Sequence, residues 1–146
     1  MALAKYDEIG EVEQVLNHYA KKLNQELTQM EEKREVIERI VQYMDSHYAE
    51  EISLTSLAGE FFLAPTYLAK KFKEKTGKTV IQYLEEIRME QAKEMLRTSG
   101  YSISEIALQT GYNDSNYFTR SFKRVLGMTP REYRNTEHDN ANKVTE

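Results

Sequence analysis

The chain has 146 residues, enough for one domain of about 100 residues and an extension. It contains no Cys, which excludes a disulfide framework and thiolate ligands, and its three His are far apart in sequence. No apolar run reaches the roughly 18 to 20 residues of a membrane span, and residues 1–10 lack the apolar core of a signal peptide. These features predict a cytoplasmic protein without a membrane partner, a cofactor or a metal.

The formal net charge is −4, but positive charge is concentrated in the middle of the chain. Residues 1–65 hold 6 Lys and Arg against 13 Asp and Glu, whereas residues 66–134 hold 13 against 8 and residues 135–146 hold 1 against 3. A local positive field governs the binding of a polyanion more than the whole-chain sum does. The distribution therefore favours a nucleic-acid partner for residues 66–134.

A heptad pattern occupies the first third of the chain. Apolar residues recur at every seventh position: Ile9, Leu16, Leu23, Met30, Ile37 and Met44. The second seam reads Val12, Tyr19, Glu26, Lys33 and Ile40, so charged residues interrupt it. The pattern predicts a helix over about residues 11–44, bent near residues 28–33. Residues 1–34 could form a dimerising coiled coil, dock on an upstream domain, or fray as a leader.

Two short helices separated by a tight turn follow. Ser53 is expected to cap the first helix, which runs to about Phe62. Pro65 suits the first position of the second helix, and Gly77 ends it. This arrangement is a helix-turn-helix, whose second helix can lie in the major groove of DNA.

A long spacer helix comes next. Thr79 and Gln82 form a capping box at its start, and it reaches about Thr98. Its predicted inner stripe is Val80, Leu84, Ile87, Ala92 and Met95. A helix over residues 80–98 is roughly 28 Å long, so it could hold two flanking units close to one DNA turn of about 34 Å apart.

The helix-turn-helix pattern then repeats. Leu57-Ala58 matches Ile106-Ala107 at an offset of 49, and Phe72-Lys73 matches Phe122-Lys123 at an offset of 50. The one-residue difference falls in the turn, where an insertion is least disruptive.

The second unit has its own start and stop signals. Ser102 and Glu105 form a capping box, Gly111 supplies the positive φ of the turn, and Asn113 is predicted to cap the second basic helix. Thr129 and Pro130 begin a final helix. Residues 135–146 carry no apolar pattern and are predicted to be a disordered tail.

Several motifs in the two repeats occur together. They are Leu63-Ala-Pro-Thr-Tyr-Leu-Ala-Lys-Lys-Phe-Lys73, Thr76-Gly77, Tyr83-Leu84, Arg88 with Ala92, Ile103-Ser-Glu-Ile-Ala107, Gly111-Tyr-Asn-Asp-Ser-Asn-Tyr-Phe-Thr-Arg-Ser-Phe-Lys123, Gly127, Pro130 and Tyr133-Arg134. Through these residues, the chain from about Ile37 to Arg134 resembles the C-terminal DNA-binding domain of AraC/XylS-type bacterial transcription regulators. The domain itself is assigned to residues 35–134. The resemblance implies an all-α fold of about seven helices, in which a long spacer helix joins two helix-turn-helix subdomains. It also implies that duplex DNA is bound in successive major-groove segments and that RNA polymerase is a further partner.

Two residues of the first unit depart from the family pattern. Ala64 stands where a capping Ser is usual, and Phe62 stands in a turn that suits a small residue. Both predict that the first unit is less tightly ordered than the second, or reads DNA less stringently.

Candidate contact residues lie on the two basic helices. The second helix presents Ser115, Asn116, Thr119 and Arg120 opposite its apolar face, and the resemblance points to Thr66, Ala69 and Lys70 on the first. Arg can bond bidentately to guanine and Asn to adenine, so Arg120 is predicted to be the largest determinant of base specificity. The predicted phosphate contacts are Lys73, Lys75, Lys123, Arg124 and Arg131. Arg88 is interpreted as a structural partner of a carboxylate or carbonyl.

An enzyme is not favoured, because the sequence offers no nucleophile with a base, no Gly-rich phosphate loop and no metal cluster. The alternative hypothesis is an interaction module whose acidic first half binds protein. Residues 1–35 are too few and too polar to enclose a ligand pocket of some 300 Å³. The chain is therefore predicted to be the output part of a longer regulator.

Overall fold

The computed structural model describes residues 2–144, apart from the side chains of residues 2–7, 31, 33 and 34. The regular structure found in this range is entirely helical. The helices are α1 (Ala2–His47), α2 (Leu54–Glu60), α3 (Pro65–Thr76), α4 (Val80–Thr98), α5 (Ile103–Gln109), α6 (Ser115–Leu126) and α7 (Pro130–Val144). The predicted all-α fold is therefore confirmed. Among the described residues, no helix is both long and apolar enough to span a bilayer.

The chain forms two compact units, Met1–Arg39 and Ile40–Glu146. The described backbone of the first unit is helical throughout, since α1 has 46 residues and ends at His47. The predicted N-terminal helix is thus confirmed, and it is longer at both ends than residues 11–44. Eight apolar side chains between residues 9 and 30 are between 54% and 62% exposed: Ile9, Val12, Val15, Leu16, Tyr19, Leu23, Leu27 and Met30.

The second unit contains two structural repeats that share α4. In the first repeat, α2 packs on α3 and α3 packs on α4. Its fully or almost fully buried side chains are Ile40, Met44, Leu57, Ala58, Leu68, Phe72, Val80 and Leu84. Ring contacts extend this core, with Tyr43 edge-on to Phe61 and Phe72 edge-on to Tyr83 at centroid distances of 5.7 and 5.6 Å.

The second repeat has the same plan, with α5 and α6 as its helix-turn-helix and α7 as the closing helix. Its core comprises Met89, Ala92, Leu96, Ile106, Ala107, Tyr112, Phe118 and Phe122, with Met95, Ile103, Leu126 and Tyr133 packed at its edge. The predicted repeat is thus realised as two separate apolar clusters, each built around a helix-turn-helix.

The buried face of α4 differs from the prediction. Val80, Leu84 and Ala92 are buried as expected, but Met89 and Leu96 are buried where Ile87 and Met95 were predicted, and those two are only partly buried. The prediction assumed one stripe along the helix. Because α4 serves two cores in succession, its buried face shifts around the helix between Leu84 and Met89.

Helix ends follow the predicted capping chemistry. The Ser53, Thr79 and Ser102 hydroxyls accept from the backbone N–H three residues on, and each motif is closed by a reciprocal bond. Thr129 and Glu132 form the same box before α7. Gly77 and Gly127 end α3 and α6 in the left-handed conformation, with φ of 76° and 77°. These sequence signals are confirmed.

The cap of α6 is a correction. Asn113 was predicted, but the cap is Asp114, whose Oδ1 accepts from the backbone N–H groups of Asn116 at 2.8 Å and Tyr117 at 3.4 Å. A carboxylate at this position is also stabilised by the positive end of the helix dipole. Both residues are good caps by type, so only the start of the helix at Ser115 decides between them.

The C-terminal tail is a second correction. Residues 135–144 were predicted to be disordered, yet they continue α7 as a helix to Val144, while residues 145 and 146 lie outside the described range. Nearly all their side chains are exposed, so apolar packing does not hold them. The capped start at Thr129 nucleates the helix, and extension of an existing helix costs far less than a new nucleus.

The turns of the two helix-turn-helix units are closed by the same backbone bonds. Leu63 N–H donates to the Ala58 carbonyl at 2.8 Å, and Tyr112 N–H donates to the Ala107 carbonyl at 2.8 Å. This six-to-one bond needs a left-handed residue just before the donor. That residue is Phe62 in the first turn, with φ of 56°, and Gly111 in the second, with φ of 97°. Because of this turn α2 ends at Glu60, short of the predicted Phe62.

Replacing Phe62 by glycine is expected to stabilise the domain. The left-handed conformation costs an L residue roughly 1–2 kcal/mol. Glycine removes this strain, although the larger conformational entropy that it loses on folding offsets part of the gain. Little packing is lost, because the Phe62 side chain is 96% exposed. Thermal unfolding of Phe62→Gly should show a higher Tm than the parent. Phe62→Ala is the control, since it removes the ring but keeps Cβ and should not gain. An unchanged Tm in Phe62→Gly would contradict the strain.

Replacing Ala64 by serine is also expected to raise the Tm. Ala64 has the extended backbone of a cap, with φ of −68° and ψ of 135°, but makes no side-chain cap bond. A hydroxyl there can accept from the first turn of α3, which is worth about 1 kcal/mol. Asp114→Ala is the matched control, since it removes the existing cap of α6 and should lower the Tm by a similar amount. A drop in Tm for Ala64→Ser would refute the capping argument.

Candidate nucleic-acid interface

Helix α3 presents the first group of predicted contact residues. Leu68 and Phe72 are fully buried on one side of the helix. Thr66 and Lys70 are exposed and Ala69 is half-buried, so these three side chains lie along the accessible side. The face combines one hydroxyl, one methyl and one ammonium group, which is a limited set of hydrogen-bonding groups for reading base edges.

Helix α6 presents the second group. Phe118 and Phe122 are fully buried and pack on each other at a centroid distance of 5.9 Å. The predicted contact residues Asn116 and Arg120 are exposed, whereas Ser115 and Thr119 are half-buried. Within the described side chains, Arg120 has no ion-pair partner, so its guanidinium fork is available to a ligand.

The predicted phosphate contacts lie at or near the helix ends. Lys73 and Lys75 are in the last turn of α3, and Lys123 and Arg124 are in the last turn of α6. Arg131 follows Pro130 at the start of α7. All five side chains are exposed. The assignment of individual residues to bases or phosphates stays a prediction.

Arg124 has a protein partner that the sequence did not indicate. Its Nη2 donates to Oε1 of Glu85 on α4, and the two side chains are 64% and 26% exposed. The residues are 39 positions apart and lie in different repeats. A local sequence pattern cannot reveal such a pair.

A cleft of about 640 Å³ separates α4 from α6. One wall is formed by Ile81, Leu84, Glu85 and Arg88 of α4, and the other by Tyr117, Arg120 and Arg124 of α6 with the preceding turn residues Gly111, Tyr112, Asn113 and Asp114. Arg120, predicted to read a base, therefore lines the same cleft as the Arg124–Glu85 pair. Two arginines of α6, Arg120 and Arg124, thus line one cleft next to the exposed face of this helix.

Arg88 also lines this cleft. Its Nε donates to the Tyr48 carbonyl at 2.8 Å and its Nη2 donates to the Glu50 carbonyl at 2.9 Å. Its guanidinium carbon lies 5.4 Å from the centre of the Tyr112 ring. The interpretation of Arg88 as a partner of backbone carbonyls is confirmed.

Burial affects the ionisable groups of this contact. It lowers the pKa of the Arg88 guanidinium, while the neighbouring Tyr112 and Tyr117 act in the opposite sense. Burial also raises the pKa of Tyr112 to about 12, although Arg88 opposes that shift. Tyr112 is therefore a neutral phenol at physiological pH. The contact between them is one of a cation with an aromatic face.

The sequence model of a helix-turn-helix domain family matches residues 57–136. The HTH-type transcriptional activator RhaS of Salmonella arizonae is 34% identical over 98 residues, an alignment that covers 67% of this chain and 35% of RhaS. The chain thus spans about a third of the length of this curated relative.

Two solved structures have the same fold and appreciable identity. The C-terminal domain of AraT, a response regulator from Geobacillus stearothermophilus, is 35% identical with a TM-score of 0.68, covering 69% of this chain and 84% of that chain. The DNA-binding domain of AdpA, a global transcriptional factor solved in complex with a target DNA, is 27% identical with a TM-score of 0.69, covering 71% and 94%.

Proposed function

This chain belongs to the AraC/XylS-type family of helix-turn-helix DNA-binding domains, and we propose that it regulates transcription by binding duplex DNA sequence-specifically. The observation that carries the proposal is the pair of helix-turn-helix units built on one shared helix. Each unit buries the apolar side of its second helix and leaves a polar side accessible. The likeness to the AdpA domain, which was solved on DNA, supports it.

In the proposed mode, α3 and α6 enter successive major-groove segments of one duplex. The bases are read by Thr66, Ala69 and Lys70 from α3, and by Ser115, Asn116, Thr119 and Arg120 from α6. A good bidentate pair discriminates between bases by about 1–3 kcal/mol. Because α6 carries both Arg120 and Asn116, it contributes more of the specificity than α3.

The phosphate contacts fix the register of the protein on the duplex. They come from Lys73, Lys75, Lys123, Arg124 and Arg131. Arg124 must exchange Glu85 for a phosphate, and since the Arg124 side chain is 64% exposed, that ion pair is worth only about 0–1 kcal/mol. Glu85 therefore moderates phosphate binding by Arg124 without preventing it.

The relatives also suggest what kind of protein this chain is part of and where that protein acts. Because the chain spans 35% of RhaS, we infer that it works as the output part of a longer regulator. Because transcription regulators act on chromosomal DNA, we expect the protein in the cytoplasm, with RNA polymerase as a further partner. The proposed activity is binding, and it involves no catalysis and no cofactor.

Substitutions on the two kinds of contact should have different effects. Arg120→Ala is expected to flatten the sequence preference, because a base contact worth about 1–3 kcal/mol is lost. Lys73→Ala should weaken binding to all sequences alike and reduce the salt slope by about 1. Affinities for duplexes selected from a random pool, measured over a range of salt concentrations, test both.

Lys21→Ala is the control, because it removes one positive charge from α1, outside the proposed interface. It should leave both the sequence preference and the salt slope unchanged. Failure of the parent chain to bind any duplex at about 50 mM salt would overturn the proposed function.

The proposed regulator is also a homodimer through α1. Eight apolar side chains between Ile9 and Met30 are more than half exposed on this helix, and the Ile9, Leu16, Leu23 seam has the heptad spacing of a coiled coil. A second copy of the chain matches this spacing over the same residues. Because Glu26 interrupts the partner seam, the paired segment is short and the dimer is expected to be weak.

Sedimentation equilibrium of the full chain should therefore show dimerisation that increases with concentration. Leu16→Glu places a charge in the seam and is expected to abolish it. Gln14→Glu adds the same charge two positions away, on the outer side of the helix in the heptad register, and should leave the dimer intact. A parent chain that stays monomeric at its highest soluble concentration would contradict the coiled coil.

A further inference from the structure

The cores of the two repeats follow one another along α4. Val80 and Leu84 belong to the buried set of the first repeat, and Met89 begins the core of the second. Arg88 therefore stands where the helix passes from one core to the next. Because Arg88 lies on the helix that both repeats share, its side chain is able to contact both of them.

The Arg88 guanidinium makes this link. On one side it donates to the carbonyls of Tyr48 and Glu50, in the segment that leads from α1 into α2 of the first repeat. On the other side it lies over the Tyr112 ring, in the turn between α5 and α6 of the second. One planar cation thus joins the segment before α2 to the turn before α6, across α4.

Gly111 makes room for this arrangement. A Cβ at Gly111 would lie 2.9 Å from Cζ, Nε and Nη2 of Arg88. Glycine is thus favoured in this turn on two grounds, its φ of 97° and the close approach of the Arg88 guanidinium. The first turn has Phe62 at the matching position, with its side chain 96% exposed, so only the second turn accommodates an arginine in this way.

The other principal helix packings do not supply this link. They lie within one repeat, as α2 with α3 or α5 with α6, or they involve α4 itself. The Arg124–Glu85 pair also spans the repeats, but its Arg124 side chain is 64% exposed, so solvent screens the pair and weakens it. The Arg88 side chain is half-buried and makes two directed hydrogen bonds, so it constrains the angle between the repeats more strongly.

We propose that Arg88 holds the two recognition helices at a fixed separation and angle, and thereby determines the half-site spacing that the domain accepts in duplex DNA. The inference rests on the proposed function, because spacing has meaning only if both helices contact one duplex. Arg88 is a positioning residue in this role, since it acts through α3 and α6 and contacts no base.

The chain offers a matched control in Arg134. Its Nε donates to the Leu96 carbonyl at 3.1 Å and its Nη2 to the Ser99 carbonyl at 3.5 Å. This is the same chemistry as at Arg88, but both partners lie at the end of α4 and belong with α7 to the second repeat. Arg134→Met should therefore cost stability without altering the geometry between the repeats, whereas Arg88→Met should alter it.

The first test measures spacing. The full chain is bound to a duplex that it selected from a random pool, and to versions with one base pair added or removed between the half-sites. The parent and Arg134→Met should lose about tenfold in affinity on respacing, and Arg88→Met only about threefold. Arg88→Lys keeps the charge without the fork and should fall between them. An equal loss in the parent and Arg88→Met would overturn the inference.

The second test needs no DNA, so it separates failure of the inference from failure of the proposed function. The chain has no Cys, and nitroxide labels can be placed by Lys73→Cys and Lys123→Cys, at matching positions of α3 and α6. The distance distribution measured by pulsed electron paramagnetic resonance should broaden in Arg88→Met and stay narrow in Arg134→Met. Unchanged width in Arg88→Met would refute the positioning role even if the domain binds DNA as proposed.

Discussion

The burial of one helix in two cores is the constraint on which the rest of the second unit depends. Helix α4 contributes Val80 and Leu84 to one apolar cluster and Met89, Ala92 and Leu96 to the other. A helix is a stiff element of known rise per residue, so residues that differ by a few positions along it are held at a set separation. The two helix-turn-helix units inherit their spacing from this arrangement, and Arg88 acts at the point where the two cores meet.

The two helix-turn-helix units within residues 40–146 have the same backbone requirements and meet them with different residues. Both turns require a left-handed residue and both second helices require a cap. The second unit meets these needs with Gly111 and Asp114, whereas the first has Phe62 at a φ of 56° and Ala64 without a cap bond. The first unit is thus held more by its buried side chains and its contacts with α4 than by its local sequence. In the second helix-turn-helix unit, the turn and cap residues favour the same backbone that the buried side chains stabilise.

Charge is distributed unevenly along the chain. Acidic residues dominate positions 1–65, and basic residues dominate positions 66–134. Within the basic segment several lysines and arginines pair with neighbouring carboxylates, as Lys71 does with Glu74 and Lys78 with Glu86. Most of the residues proposed to contact DNA are exposed, and Arg124 is paired with Glu85. A polyanion would therefore meet a field concentrated on the two recognition helices rather than one spread over the chain.

The sequence by itself determined the helices of the second unit, the repeat and the residue types of the two recognition faces. Caps, turn glycines and apolar periodicity are local properties, so Ser53, Pro65, Gly77, Thr79 and Gly127 could be placed without a structure. Where two neighbouring residues could serve equally, as Asn113 and Asp114 could, the sequence did not decide. It also did not predict that residues 135–144 extend α7, because their exposed helix lacks the apolar pattern on which the prediction relied.

Only the tertiary structure decided which residues meet across long sequence separations. The rotation of the buried face of α4 from Leu84 to Met89, the pairing of Arg124 with Glu85, and the contacts of Arg88 with Tyr48, Glu50 and Tyr112 all depend on how the two repeats pack. The hydrogen bonds of Arg88 and the Arg124–Glu85 pair join positions 38 to 40 residues apart and have no periodic signature. The physical reason is that capping and periodicity act within a few residues of chain, whereas the geometry between the repeats is set by packing around a helix that both of them share.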